Sequence, residues 1–308
     1  MSLFRHPVPL VVINQQLPVY DIEKFRYLGL ESNFYANTFK AHLAQHHHLI
    51  LAPHKHDFYV GMLFTRGSGT HQIEFNNYEI KPGCVFMIAP GEVHDWKFSK
   101  DIDGYIFFHT KEYFDLNFTY EKVDNYPFYC CLRNNPLILL NNKSRRKVNG
   151  FFSEIVDEYK HTELFKFQKI SSLLNVLYIT LTRIYLPDKL FQSKNLNYLS
   201  KVKQFDQLIE KHFKEYKYPR DYALLMHMSE KHLNRICKIC LNKTTSELIM
   251  ERIVLEAKRR LAFAESSVSQ IAEELGYSNN SYFIQLFKKK TGKTPAEFMK
   301  KFREAAGS

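Results

Sequence analysis

The pattern of apolar and polar positions changes character near residue 145. Before it, short runs rich in β-branched and aromatic residues (58–65, 69–75, 84–88 and 104–109) alternate with turn clusters. These clusters are Arg66-Gly67-Ser68-Gly69, Asn76-Asn77, Lys81-Pro82-Gly83, Pro90-Gly91 and Asp101-Ile102-Asp103-Gly104. Strands of this length at this spacing predict a barrel or a sandwich over residues 1–140. After residue 145 the apolar positions recur at helical spacing. One stripe is Val148, Phe151, Phe152, Ile155, Val156 and Tyr159; another is Ile170, Leu173, Leu174, Leu177, Tyr178, Leu181 and Ile184, ending before Pro187. Two amphipathic helices within 141–186 follow from this. They either pack on the β structure or pair with a second copy. The polar, Pro-containing stretch around 187–200 is the expected linker.

The C-terminal part, 201–308, is patterned as helices throughout. In residues 267–298, Val268, Ile271, Ala272 and Leu275 are spaced for a short helix with Gly276 just past its end, where a positive φ suits only Gly. A second helix follows with Tyr282, Phe283, Leu286 and Phe287 on its apolar side, and Asn280, Ser281, Gln285, Lys288 and Lys289 left to face outward. A helix that is apolar behind and carries amides and lysines in front suits a DNA major groove. A similar pattern occurs earlier. A short helix near 222–226, a turn at His227-Met228-Ser229 and a helix over 230–241 place Leu233, Ile236, Cys237 and Cys240 inward, with Lys231, Asn234, Arg235 and Lys238 outward. The helix between the two patterns, 246–264, spans roughly 28 Å at 1.5 Å per residue. Successive major grooves on one face of DNA lie roughly 34 Å apart, so the rod has about the length needed to present both readers to neighbouring grooves.

Charge supports this division. The formal net charge is +11. From residue 201 onward there are 21 Lys and Arg against 13 Asp and Glu, while residues 1–200 carry 22 against 19, so the excess is concentrated in the C-terminal third. Hydrophobic content of 45% and aromatic content of 15% fit a globular chain. No apolar run approaches the roughly 18–20 residues of a membrane span, and the N-terminus is too weakly apolar for a signal peptide. Five cysteines, with Cys130-Cys131 adjacent, suit no disulfide framework, so a reduced cytoplasmic setting is expected. Cys237 and Cys240 share the apolar side of their helix, and packing is their expected role.

The stretches IAEELGYSNNSYFIQLFKKKTGKTP (271–295) and RIVLEAKRRL (252–261) resemble the AraC/XylS-type bacterial transcription regulators. The resemblance implies two helix-turn-helix units bridged by a long helix, with recognition helices over 230–241 and 280–290. Lys231 and Arg235 would be base-facing in the first, and Ser281 and Gln285 in the second. Many members carry Arg where this chain has Gln285, which shifts the expected contact from guanine toward adenine. Asn242 stands where Gly is common. Farther upstream, His54-Lys55-His56-Asp57-Phe58, Lys81-Pro82-Gly83 and Pro90-Gly91-Glu92-Val93-His94-Asp95-Trp96 resemble the cupin-like sensor domains of such regulators. That resemblance implies a β-barrel with a ligand pocket lined by His54, His56, Tyr59, His71, His94 and Trp96.

In a cupin, His54, His56 and His94 would be metal ligands. The carboxylate that usually completes such a set is missing, because Phe58, Tyr59, Val60 and Gly61 fill the stretch after the His pair. Structural or ligand-lining roles are therefore expected, with no metal and no cofactor. Walker, GxSxG and triad patterns are lacking, so the enzymatic alternative reduces to a cupin metalloenzyme fused to a DNA-binding domain. The expectation is an α+β chain: a cupin-like barrel with following helices, then an all-α domain of two helix-turn-helix units joined by a long helix. Its expected partners are promoter DNA, a small-molecule effector, a second copy of the chain and, for an activator, RNA polymerase.

Overall fold

The structure, a computed structural model, describes residues 17–25, 33–46, 52–118, 122–129, 135–186, 193–263 and 266–304. The N-terminal segment 1–16, Cys130-Cys131 and residues 187–192 of the expected linker lie outside the described residues. The chain divides into two compact units, Pro18–Lys189 and, C-terminal to it, Leu190–Ser308.

The first unit is a flattened barrel of two facing sheets. Its elements run β1 (Val19–Tyr20), β2 (Phe34–Thr38), α1 (Phe39–His46), β3 (Lys55–His56), β4 (Tyr59–Arg66), β5 (Gly69–Ile73), β6 (Asn76–Ile80), β7 (Cys84–Ile88), β8 (His94–Phe98), β9 (Asp103–His109), α2 (Lys111–Asn117), β10 (Leu137–Leu139), α3 (Asn142–Lys160) and α4 (Lys166–Tyr185). The larger sheet has the order β10-β7-β4-β9-β2 and the smaller β6-β5-β8. β1 pairs in parallel with β3, and a single bridge joins His54 to His94.

The larger sheet is buried on both faces. On one, Phe64 and Phe86 meet Phe39, His71 and Tyr78 across the barrel interior. On the other, Phe34 and Phe107 meet Tyr159, Phe152 and Tyr178 of α3 and α4. The run CVFMI of β7 is consequently apolar at every position, as burial on both sides demands. Gly61 makes room for this packing: a Cβ there would lie 2.2 Å from the Phe107 ring.

Three features differ from the sequence expectation. Asn76-Asn77 open strand β6, and the reversal lies one step earlier at Glu74-Phe75, where Glu74 adopts φ 54°. That conformation is held by Val93, whose carbonyl accepts the Glu74 N–H at 2.7 Å while its own N–H donates to the Glu74 carboxylate at 3.0 Å. Helix α1 stands within the stretch read as all β. Strand β8 comes from HDWKF, which has no β-branched residue; pairing with β5 decides its conformation.

The second unit runs α5 (Ser193–His212), α6 (Pro219–Leu225), α7 (Glu230–Leu241), α8 (Thr245–Phe263), α9 (Val268–Glu274), α10 (Asn280–Thr291) and α11 (Pro295–Glu304). Helix α5 begins inside the stretch expected to be a linker, because Val202, Phe205, Ile209 and Phe213 recur at helical spacing and bury one face of it. Along α8 an ion-pair ladder runs from α5 to α9. Arg252 holds Glu210 of α5 at 2.6 Å and Glu256 at 3.2 Å; Glu256 in turn holds Arg260 at 3.2 Å, and Arg260 pairs with Glu274 of α9. Arg252 is largely buried and stacks over Phe213 at 4.0 Å. The Glu256 carboxyl is half-buried, yet its guanidinium neighbours keep it below the usual glutamate range despite the opposing effect of burial.

Candidate functional site

The helical unit contains two matching substructures, α6–α7 and α9–α10. In each, a short helix closes with a bond from the residue five positions on: Met228 N–H to Ala223 C=O, and Tyr277 N–H to Ala272 C=O, both near 3 Å. His227 and Gly276 take the positive φ that this closure needs, at 51° and 79°. Only Gly serves at 276, since a Cβ would come within 2.0 Å of the Lys214 carbonyl oxygen. Ser229 and Asn279 then cap the following helices, accepting from His232 N and Tyr282 N. Both helices end on a left-handed residue, Asn242 at φ 57° and Gly292 at φ 77°; Asn tolerates that conformation, which explains its place where Gly is common.

The outward faces of α7 and α10 carry most of the expected contact residues. Lys231, Arg235, Lys238, Asn280, Ser281, Gln285, Lys288 and Lys289 are exposed, whereas Leu233, Ile236, Cys237, Phe283 and Phe287 are buried behind them. Counting from the caps, Arg235 and Gln285 hold the same position in the two units. Arg235 is steadied from both sides, donating to His232 Nδ1 at 2.9 Å and to the Tyr198 hydroxyl of α5 at 3.4 Å. Two expected contacts have internal partners: Asn234 accepts the Thr245 N–H at 3.1 Å and so caps α8, and Asn280 donates to Ser269 at 2.9 Å. Tyr282, expected on the apolar side, is instead 52% exposed, because Tyr277 and Phe283 fill the space behind α10. It joins the outward face. Cys237 and Cys240 are buried, and desolvation raises the Cys237 thiol to about 11, so both act as core residues.

In the β unit, His54, His56, His71, His94 and Trp96 cluster between the two sheets. All four imidazoles are buried. Desolvation, reinforced by neighbouring imidazoles, depresses His56 and His71 to about 3 and His94 well below the usual histidine value. Being neutral, each ring has one donor and one acceptor, and the hydrogen bonds fix which is which. His56 Nδ1 faces the Phe58 carbonyl at 2.9 Å, so it carries the proton and its Nε2 accepts from His94 Nε2 at 3.1 Å. His94 Nδ1 must then accept from His71 Nε2 at 3.0 Å, which leaves His71 Nδ1 as a bare lone pair. That atom and Trp96 Nε1 are both buried without a hydrogen-bond partner. Among the described residues no group of three or more His, Cys, Asp or Glu side chains is arranged to hold a metal ion.

Tyr59 does not join this cluster. It lies on the opposite face of β4, stacked on His109 at 5.3 Å and donating to Asp124 at 2.5 Å. Alternation along the strand turns it toward the helices. A second buried polar chain, not legible in the sequence, lies on that face. His109 Nδ1 donates to the Thr110 carbonyl, so its Nε2 accepts from the Tyr178 hydroxyl of α4 at 2.6 Å, and Tyr178 accepts from Tyr129 at 2.8 Å.

Comparisons with known proteins match both units. Residues 38–109 match the AraC-like ligand binding domain, and residues 222–301 match a helix-turn-helix domain. The transcriptional activator RhaR of Yersinia pseudotuberculosis is 21% identical over 252 residues, covering 81% of this chain and 84% of that protein. The uncharacterised regulator YfiF of Bacillus subtilis is 22% identical over 277 residues, covering 89% and 85%. Among solved structures, ToxT of Vibrio cholerae aligns at 14% identity with a TM-score of 0.42, covering 87% of this chain and 98% of that one. No described helix is long and apolar enough to cross a membrane. With an AraC-like ligand-binding unit ahead of a helix-turn-helix unit, this chain belongs to the AraC family of DNA-binding transcription regulators, a family of regulators and not of enzymes.

Proposed function

We propose that the chain binds specific promoter sequences through α7 and α10 together, and that a small molecule held between the sheets of the β unit controls this binding. The observation that carries the reading is the matched pair of helices, each buried behind and polar in front, one ahead of the ion-paired helix α8 in the chain and one after it. Lys231, Arg235, Lys238, Ser281, Gln285, Lys288 and Lys289 supply the contacts to bases and phosphates. Asn234 and Asn280 serve chiefly to set the helices that carry them. The effector acts by binding more tightly to one presentation of the DNA units than to another.

Helices α3 and α4 mediate pairing with a second copy. In support, α4 buries Leu174, Leu177, Tyr178 and Leu181 while leaving Val176 and Ile179 exposed at 45% and 39%. Because the RhaR relatives are named activators, contact with RNA polymerase follows as part of the proposal.

The deciding experiment is a mobility shift of full-length protein on fragments from the neighbouring genes. Binding at nanomolar protein is expected, with a steep salt dependence. Arg235→Ala should cost about 1–3 kcal/mol and relax the preference at one base pair. Equal affinity for random DNA would sink sequence-specific control.

A further inference from the structure

We infer that the effector is an uncharged molecule with a single hydroxyl or amide head on an apolar body, and that the head bridges His71 Nδ1 and Trp96 Nε1. The inference rests on the reading of the β unit as the sensor and goes beyond it by naming the ligand's chemistry.

The hydrogen-bond chain from Phe58 through His56 and His94 assigns every proton up to His71, and it ends on an acceptor with nothing to accept. Beside it, the two rings 5.1 Å apart, Trp96 Nε1 is a donor with nothing to donate to. A hydroxyl satisfies both at once, donating to the imidazole lone pair and accepting the indole N–H; a primary amide does the same through its two ends. Leaving such groups unpaired in a buried site is unfavourable, so a ligand that pairs them gains more than its contact area.

Charge is selected against. Among the described residues of the β unit the only buried Lys or Arg is Lys166, which lies on α4 and donates to the Tyr159 carbonyl, so the strands offer no buried cation to a carboxylate. On the strand hairpins the buried acid is Glu74, which already accepts the Val93 N–H. The remaining surroundings are rings: His71 lies 4.7 Å from Phe86, and Trp96 lies 5.9 Å from Phe39 and 5.3 Å from Phe98. A polyol would bring more hydroxyls than this lining pairs, whereas a flat or compact apolar body packs well.

Trp96 is the only tryptophan of the chain, so intrinsic fluorescence reports on this site directly. The test titrates full-length protein with benzyl alcohol, benzamide, benzoate, benzylammonium and toluene, reading Trp96 emission and thermal shift. Benzyl alcohol or benzamide should move both signals, with benzoate and benzylammonium silent at the same concentration. His71→Phe, which keeps a ring and removes the acceptor, should weaken binding about tenfold or more. Trp96→Phe, read by thermal shift alone, should do the same, and the melting temperature without probe shows that each variant folds. Charged probes binding as well as neutral ones, binding that survives both substitutions, or silence from the whole set at millimolar concentration (the result if one ordered water satisfies both atoms) would each overturn the inference. A charged probe that binds and alters the DNA shift would leave the sensor reading standing while removing the proposed head chemistry. A neutral probe that binds without altering DNA affinity would do the reverse.

Discussion

At the scale of single residues, one hydroxyl ties the larger sheet to the helix that covers it. Tyr178 donates to His109 and accepts from Tyr129, and all three groups are buried. Tyr178→Phe keeps the ring but takes the donor away from the buried His109 Nε2 and breaks the bond to Tyr129, and should destabilise the β unit by about 1–3 kcal/mol. A shift of the urea midpoint with an unchanged slope is the expected signature. Nothing in the sequence pointed to this chain, since its members lie far apart along the chain and on three different segments. The misplacement of Tyr59 has a related cause. Its neighbours His54 and His56 face the interior, but side chains alternate along a strand, and whether Tyr59 faces in or out depends on where β4 begins. The histidine cluster itself was legible through its resemblance to a sensor family, whereas its proton order emerges only when each nitrogen is assigned a partner.

Helices were easier to read than strands, and the reason lies in their ends. Residues 230–241 form α7 with the expected bounds because Ser229 caps one end and Asn242 turns left-handed at the other. Helix α9 carries a complete capping box: the Ser267 hydroxyl accepts from Gln270 N while the Gln270 side chain accepts from Ser267 N at 2.8 Å. Ser267→Ala should therefore cost about 1 kcal/mol, and the faster amide exchange it causes should concentrate in α9 and the turn to α10. Uniform loss across the unit would show that the cap is not what sets this helix. Strands β6 and β8 lack such local signals. Their sequences NNYEI and HDWKF become strands because β5 stands between them and pairs with both. The first turns of α5 fell in the stretch expected to be a linker for the opposite reason, since a polar composition and a nearby proline outweighed the helical spacing that Val202, Phe205 and Ile209 continue.

For the molecule as a whole, the buried imidazoles set a limit on the acid side. In the unfolded chain His42, His56 and His71 take up protons below about pH 6.5; in the native fold, where burial is the main cause, they resist until about pH 3. Unfolding therefore binds protons in this window, and stability falls as the pH drops through it. Each such histidine removes about 1.4 kcal/mol per pH unit. Thermal melts between pH 7 and 4 should show the β unit weakening first, and a flat profile would contradict the neutral assignment on which the proton order depends. The ladder of Arg252, Glu256 and Arg260 bears on the other unit. Its outer members also grip α5 and α9, so the ladder ties α8 to the helix ahead of the first helix-turn-helix substructure and to the opening helix of the second. Under the proposed function, such a protein would measure distance as well as letters. If α7 and α10 read DNA together as proposed, two correct half-sequences separated by half a turn too many would face different sides of the duplex, and binding should fall with that spacing change even though every base letter is kept.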